Sequence, residues 1–515
     1  MGVRGRAEPV LSPDRLGYTT SLIAMRYYLA FDLGAESGRA MLGAIADERL
    51  VLEEIHRFPN IPVRLPTGLY WDTLRLFHEI LQGLTMVGRQ RKISLAGVGI
   101  DTWGVDFALL GEDGALVDNP RHYRDARNDG MLEKTFAVIP REEIFAHTGI
   151  QFMQLNTLYQ LHAMKLARSP ALAVARTFLM MPDLFNYWLT GVKRAELTDA
   201  STTQFYNPVK KRWAYELLER LGLPTAILPE IVPPGTLLGP LLPHVAEETG
   251  AGEIPVYATC CHDTASAVAA VPAEGEGWCY ISSGTWSLMG VELAEPVINE
   301  RSLALNFTNE IGAGGSVRFL KNIAGMWLLQ ECRRAWALEG SEYSYEELAR
   351  LAASAPPFTA VIDPDAFLQP GRMPEKIAEF CRRSGQRAPE GVAAMCRTIL
   401  ESLALRYRQV LESLESLLGR RLERIHIVGG GSRNQVLNQF VADATARVVV
   451  AGPGEATAAG NVIVQAIGSG LLKDVGEARQ LIRRSFPLTV FEPKPEADWD
   501  AAYQRFCALR PREQA

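Results

Sequence analysis

The apolar positions of the chain come first in short runs separated by glycine-bearing turns. Residues 27–31, 39–46 and 50–58 form three such runs, each of strand length, which predicts an antiparallel meander. A fourth run, 93–100, ends at Asp101, and 105–110 reads as a further strand followed by an Asp113-Gly114 turn. Helical spacing dominates from 131 to 166 and from 213 to 221. The first half is therefore a mixed α/β unit.

The second half repeats the theme. A Pro- and Gly-rich stretch, 224–243, precedes a strand at 255–258, and the break at 272–277 marks the expected boundary between domains 26–272 and 278–490. Past it, 279–282 and 286–291 again read as strand, small-residue turn, strand, followed by long helices and a strand at 424–428. Two halves that open alike predict a duplicated fold with a cleft between the copies. Residues 1–25 lack periodicity and are expected to be a disordered tail, with a start at Met25 as the alternative; 491–515 are assigned to a C-terminal tail.

Composition narrows the function classes. Of 515 residues, 47% are hydrophobic and 22% charged, enough apolar material for large cores. A net charge of -6 and a pI near 5.9 lack the basic excess that draws a chain to phosphate backbones or anionic lipid, so neither nucleic acid nor membrane is an expected partner. No apolar stretch reaches the roughly 18 residues of a membrane-spanning helix, and a cytoplasmic location is expected. Seven cysteines, an odd number without CxxC spacing, point to core residues rather than a disulfide framework or a zinc site.

Five segments could carry chemistry. Asp32-Leu33-Gly34-Ala35-Glu36-Ser37-Gly38-Arg39 places an acid at a strand end and glycines in a tight turn, where backbone N–H groups can approach phosphate and Asp32 can hold Mg²⁺, directly or through water. A plain hairpin turn is the competing reading. Ser282-Ser283-Gly284-Thr285 is a second hydroxyl-rich turn between strands, and Gly429-Gly430-Gly431 leaves bare backbone where a flat nucleoside could lie. His262-Asp263 opens a small-residue helix, where an Asp is either an N-cap or a general base. Thr102-Trp103-Gly104-Val105-Asp106 combines an aromatic face with a carboxylate, which suits a polyhydroxyl ligand, although a Trp beside a strand is more often core.

In their order and spacing these segments resemble the FGGY family of carbohydrate kinases from about Tyr27 to about Gly470. The most particular strings are DTWGVDFALL (101–110), GIQFMQLNTLYQ (149–160), HDTASAV (262–268), SSGTWSLMG (282–290) and KNIAGMWLLQ (321–330). The resemblance implies an α/β protein of two ribonuclease H-like, actin-like ATPase domains, with ATP and sugar meeting in the cleft. By motif, Ala35, Glu36, Ser37, Gly38 and Arg39 would contact the ATP phosphates, Thr285 and Gln330 would also face ATP, and Gly430 would lie by the adenosine. Gly104, His262, Asp263, Thr264 and Asn322 would surround the sugar and the transferred phosphoryl group, with Asp263 as the catalytic base. Glu36 departs from the pattern, standing where some relatives carry Ser. The implied reaction is ATP- and Mg²⁺-dependent phosphorylation of a ketose, L-rhamnulose first, with L-fuculose, xylulose and glycerol as alternatives. A non-catalytic nucleotide-binding protein on the same fold would need no base at Asp263, and a dehydrogenase would need a GxGxxG signal that is absent. The oligomeric state is left open.

Overall fold

The computed structural model describes residues 25–494 and 497–509. Two sheets organise the chain. The first contains β1 (Arg26–Leu33), β2 (Ser37–Ala46), β3 (Arg49–Pro59), β4 (Leu95–Thr102), β5 (Thr236–Pro240) and β6 (Pro255–Ala258), in the order β5-β6-β4-β1-β2-β3. β1 is central because its last six residues are all buried, as a strand covered on both faces must be. β3 lies at the edge, where Glu53, Glu54 and Arg57 discourage pairing with another chain.

The second sheet contains β7 (Trp278–Ser283), β8 (Trp286–Leu293), β9 (Thr308–Ile311), β10 (Val317–Ala324), β11 (Arg424–Val428), β12 (Val448–Ala451) and β13 (Thr489–Phe491), in the order β9-β10-β8-β7-β11-β12-β13. In each sheet the first strand runs antiparallel to the next on one side and parallel to a later strand on the other. The expected duplication is thus present as topology.

Several boundaries differ from the sequence reading for local reasons. The strand expected over 105–110 begins only at Phe107, because Val105 takes a left-handed φ of 69°. The helical stretch 131–166 is broken into Met131–Phe136, Arg141–Thr148 and Thr157–Leu166; Pro140 caps the second and Gly149 ends it at φ 63°. The Pro- and Gly-rich stretch 224–243 contributes the edge strand β5. The tail assignment for 491–515 is corrected: Trp499–Leu509 is a helix, and Trp499, Ala502 and Phe506 form a buried stripe at helical spacing against the core. The tail expected over 1–25 falls, up to residue 24, outside the described residues. Six of the seven cysteines are buried and none of the seven forms a disulfide. Among the described residues no helix is long and apolar enough to cross a membrane.

Four helices matter for the site: α1 (Asp263–Ala269), α2 (Trp327–Leu338), α3 (Gly391–Leu418) and α4 (Ala456–Gly468). α4 comes from the second half of the chain yet packs on α1, β1 and β4. It is anchored there by polar bonds, with Asn461 Nδ2 donating to Asp101 Oδ2 at 2.5 Å and Gln465 Nε2 to the Leu29 carbonyl at 3.1 Å. At the crossing, a Cβ on Gly460 would stand 1.7 Å from the Ser266 carbonyl oxygen. Backbone cannot yield as a flexible side chain can. Gly460→Ala is therefore expected to destabilise the protein by about 3 kcal/mol, the upper end of the overpacking range, as measured by denaturant unfolding.

Candidate functional site

A cleft of about 280 Å³ opens where the β1–β2 turn, the start of α1, the β7–β8 turn and the glycine turn after β11 meet. Asp263 is the first residue of α1, with His262 at the cap position and no side-chain cap bond. The capping alternative for Asp263 is thereby removed. Its carboxyl instead accepts from Thr264 Oγ1 at 3.0 Å and keeps 30% of its side chain open to the cleft. Enclosure by the cleft walls pushes this carboxyl above the ordinary range, the neighbouring Asp32 charge adds to the rise, and His262 partly offsets it.

The backbone that presents Asp263 is held from below. Glu196, wholly buried, accepts from the N–H groups of Thr198, Asp199 and Cys261 at 2.9, 3.2 and 3.0 Å. Burial pushes its carboxyl up to about 7, against those hydrogen bonds. Thr198 Oγ1 in turn accepts from the His262 N–H at 3.2 Å. His262 lies with Nε2 3.5 Å from Asp263 Oδ1 and Nδ1 3.4 Å from Glu310 Oε2. Burial alone would raise Glu310, but the Arg318 guanidinium beside it holds its carboxyl below the ordinary range.

Gly104 lines the cleft where a Cβ would meet Thr202 at 3.0 Å. The next residue, Val105, keeps its left-handed backbone because Thr202 Oγ1 accepts its N–H at 3.1 Å and Thr157 Oγ1 donates to its carbonyl at 2.7 Å. Strain of this kind in a β-branched residue persists only where neighbours enforce it. Trp103 also lines the cleft, its ring 4.0 Å from that of Trp71 and tilted 35° to it. Asp106 is not available to a ligand. It accepts from Trp71 Nε1, Trp103 Nε1, the Tyr123 N–H and Gln160 Nε2 at 2.6, 3.0, 3.2 and 2.9 Å, and burial pushes its carboxyl up to about 6. It is a structural hub that fixes the tryptophan platform.

On the opposite wall, Asn322 of β10 faces the cleft, and Gln151 Oε1 accepts from its N–H at 2.9 Å and from its Nδ2 at 3.1 Å. Gln151, Asn156, Thr202 and Glu310 line the cleft but were not singled out from sequence. Gln151 and Asn156 lie within the string GIQFMQLNTLYQ, which was the available signal.

The glycine turn after β11 is shaped by close approach. A Cβ on Gly431 would stand 2.0 Å from Ser283 Oγ, whereas one on Gly430 would meet nothing within 4 Å and faces the cleft. Ala35 and Thr285 line the cleft with Gly430; Glu36, Ser37, Gly38, Arg39, Gln330 and Asp32 stand off its lining. Arg39 is ion-paired with both Asp32 and Glu455. Glu36 is exposed, and Gln330 lies on α2 with its Oε1 buried and without a hydrogen-bond partner.

Comparison with known proteins agrees with this geometry. Residues 27–270 match the N-terminal domain of the FGGY family of carbohydrate kinases, and 279–469 match its C-terminal domain. The chain is 49% identical over 481 residues to "Rhamnulokinase" of Bacteroides thetaiotaomicron, covering 93% of this chain and 98% of that one. It is 41% identical over 467 residues to "Rhamnulokinase" of Oceanobacillus iheyensis, covering 90% and 97%. The fold is similar to a xylulose kinase of Lactobacillus acidophilus, with TM-score 0.79 and 16% identity over 94% of this chain and 98% of that one. It is also similar to a glycerol kinase of Plasmodium falciparum, with TM-score 0.73 and 15% identity over 94% and 97%. Both halves, the cleft between them and the strings that line it thus lead to one conclusion: the chain belongs to the FGGY family of carbohydrate kinases.

Proposed function

We propose that this kinase transfers the γ-phosphoryl group of ATP to the C1 hydroxyl of L-rhamnulose, with Asp263 as the base. The observation that carries the proposal is that Asp263 shares one cleft with Gly104, His262, Thr264 and Asn322 and with Ala35, Thr285 and Gly430. The likeness to curated rhamnulokinases over more than nine-tenths of the chain supports the choice of sugar. So does the lining: Ile150, Met153, Leu155 and Leu288 give the cleft apolar surface suited to the methyl group of a deoxy sugar.

In the proposed reaction the sugar hydroxyl oxygen bonds to the γ-phosphorus, the bond from phosphorus to the β–γ bridging oxygen breaks, and the hydroxyl proton passes to Asp263. ADP leaves with the bridging oxygen. Because the transition state is loose, positioning does most of the work and the base chiefly receives the proton. The chain's own residues would divide this labour, with His262, Thr264 and Asn322 orienting the sugar and the backbone at Ala35, Thr285 and Gly430 accommodating the nucleotide.

The residues present fit Mg²⁺. Asp32 and Asp263 both push the buried carboxyl of Asp101 upward, so the three lie within electrostatic reach of one another, and Asp101 Oδ1 is buried without a partner. Such oxygens suit a hard cation. Among the described residues no three His, Cys, Asp or Glu side chains are grouped to hold a metal, so an ion at Asp32 would share its ligands with phosphate and water. Bound there, it would neutralise charge on the triphosphate.

A coupled ADP-release assay over L-rhamnulose, L-fuculose, D-xylulose and glycerol is expected to give the highest kcat/KM with L-rhamnulose; equal or better turnover of xylulose or glycerol would sink the assignment. Asp263→Asn keeps the shape and breaks no cap, so it should melt like the parent while kcat falls about 10²- to 10⁴-fold and KM for ATP stays near its original value. A well-folded variant retaining more than about a tenth of the rate would remove Asp263 from the mechanism. Gly430→Val enters open space in the free protein, so stability should hold while KM for ATP rises by about tenfold or more, the scale of a steric misfit of 1–3 kcal/mol. An unchanged ATP KM would place the nucleotide elsewhere.

A further inference from the structure

We infer that Arg318, paired with Glu310, fixes the tautomer of His262, so that the imidazole proton sits on Nε2 and faces Asp263. Arg318 lies on β10 directly across from Glu310 on β9, and its side chain is completely buried. A guanidinium in such a place must have all its neighbours chosen for it. Its Nε donates to the Ile311 carbonyl at 3.1 Å, and its Nη2 stands 3.1 Å from Glu310 Oε2 and 3.1 Å from His262 Nδ1.

The last contact decides the tautomer. A guanidinium has five donors and no acceptor and stays charged, so the ring nitrogen it approaches must present a lone pair. Glu310 Oε2 is also near Nδ1 but farther, at 3.4 Å, and the same oxygen is already held by Arg318. A proton on Nδ1 would turn two N–H groups toward each other. With Nδ1 accepting, the neutral ring carries its proton on Nε2, which lies 3.5 Å from Asp263 Oδ1 at the floor of the cleft.

The distance from Nε2 to Asp263 exceeds a good hydrogen bond, which leaves the N–H free to be shared with a ligand oxygen that enters beside the carboxylate. Arg318 does not itself line the cleft and acts only through His262. It is a positioning residue. The consequence for sugar turnover rests on the kinase reading above; the tautomer does not.

The test is nitrogen NMR of the full-length protein labelled with ¹⁵N-histidine, without ligands, at neutral pH. The sequence has eight histidines, and His262→Asn identifies the signals that belong to His262. A protonated Nε2 beside an unprotonated Nδ1 is expected. A proton on Nδ1, or a doubly protonated ring, would overturn the inference whatever the protein phosphorylates. Arg318→Met removes the donor and leaves Glu310 as the neighbour of Nδ1, so the proton should move to Nδ1. Sugar kcat/KM should then fall on the order of 10- to 100-fold, the scale of a lost hydrogen bond to a charged group, with KM for ATP unchanged. A folded variant with the parent's tautomer would refute the role of Arg318, and a moved proton with full kcat/KM would refute its bearing on catalysis. If Arg318→Met does not fold, the spectrum of the unmodified protein still decides.

Discussion

The cleft depends on one close crossing of two helices, α4 over α1. The contact is between backbones, since Gly460 has no side chain where the Ser266 carbonyl lies. α1 carries Asp263 at its first position, so any displacement of this crossing displaces the proposed base. The same helix α4 begins just after Glu455, which holds Arg39 of the first turn, and Thr457 near its start lines the cleft. Asn461 and Gln465 then lock its middle to β4 and β1. A single element from the second half thus sets Asp263, the β1–β2 turn and the central strands relative to one another.

That arrangement concentrates negative charge. Asp32, Asp101 and Asp263 lie within electrostatic reach of one another, and Asp101 and Asp263 are both held above the ordinary carboxylate range, first by burial and then by their acidic neighbours. A triphosphate entering such a field needs compensation. Arg39 shares its charge between Asp32 and Glu455 beside this region. The raised carboxyl of Asp263 also makes it a stronger proton acceptor than an exposed aspartate, which is what a base for a weakly acidic hydroxyl requires.

Much of the fold was legible because its strands are short, apolar and bounded by small residues. The strands 255–258 and 424–428 fall where they were read, and Gly34-Ala35, Ser283-Gly284-Thr285 and Gly429-Gly430 of the three turns line the cleft. What escaped depended on contacts distant in sequence. In TNEI and VRFLKNIA, Glu310 and Arg318 look like solvent-facing positions of alternating strands, and only their pairing shows them to be an internal ion pair. Asp106 reads as a sugar ligand in its local string because three of its four donors, Trp71, Tyr123 and Gln160, lie outside that string. Trp499, Ala502 and Phe506 carry a helical stripe that is legible in the sequence itself.

The bonds that span the halves bear on how a kinase spares ATP from water. Gln151 from the first half holds Asn322 from the second, and Arg124 stacks 4.3 Å over Trp327 while donating to the Leu368 carbonyl at 2.7 Å. A base able to take a proton from a sugar hydroxyl can take one from water, so the base alone confers no selectivity. Selectivity must come from what shares the cleft with it. Ile150, Met153 and Leu155 offer no hydrogen-bond partner from their side chains, which makes ordered water there costly, while a sugar has C–H surface to set against them. Discrimination against hydrolysis and preference for a deoxy sugar then have a common physical origin in the same apolar wall.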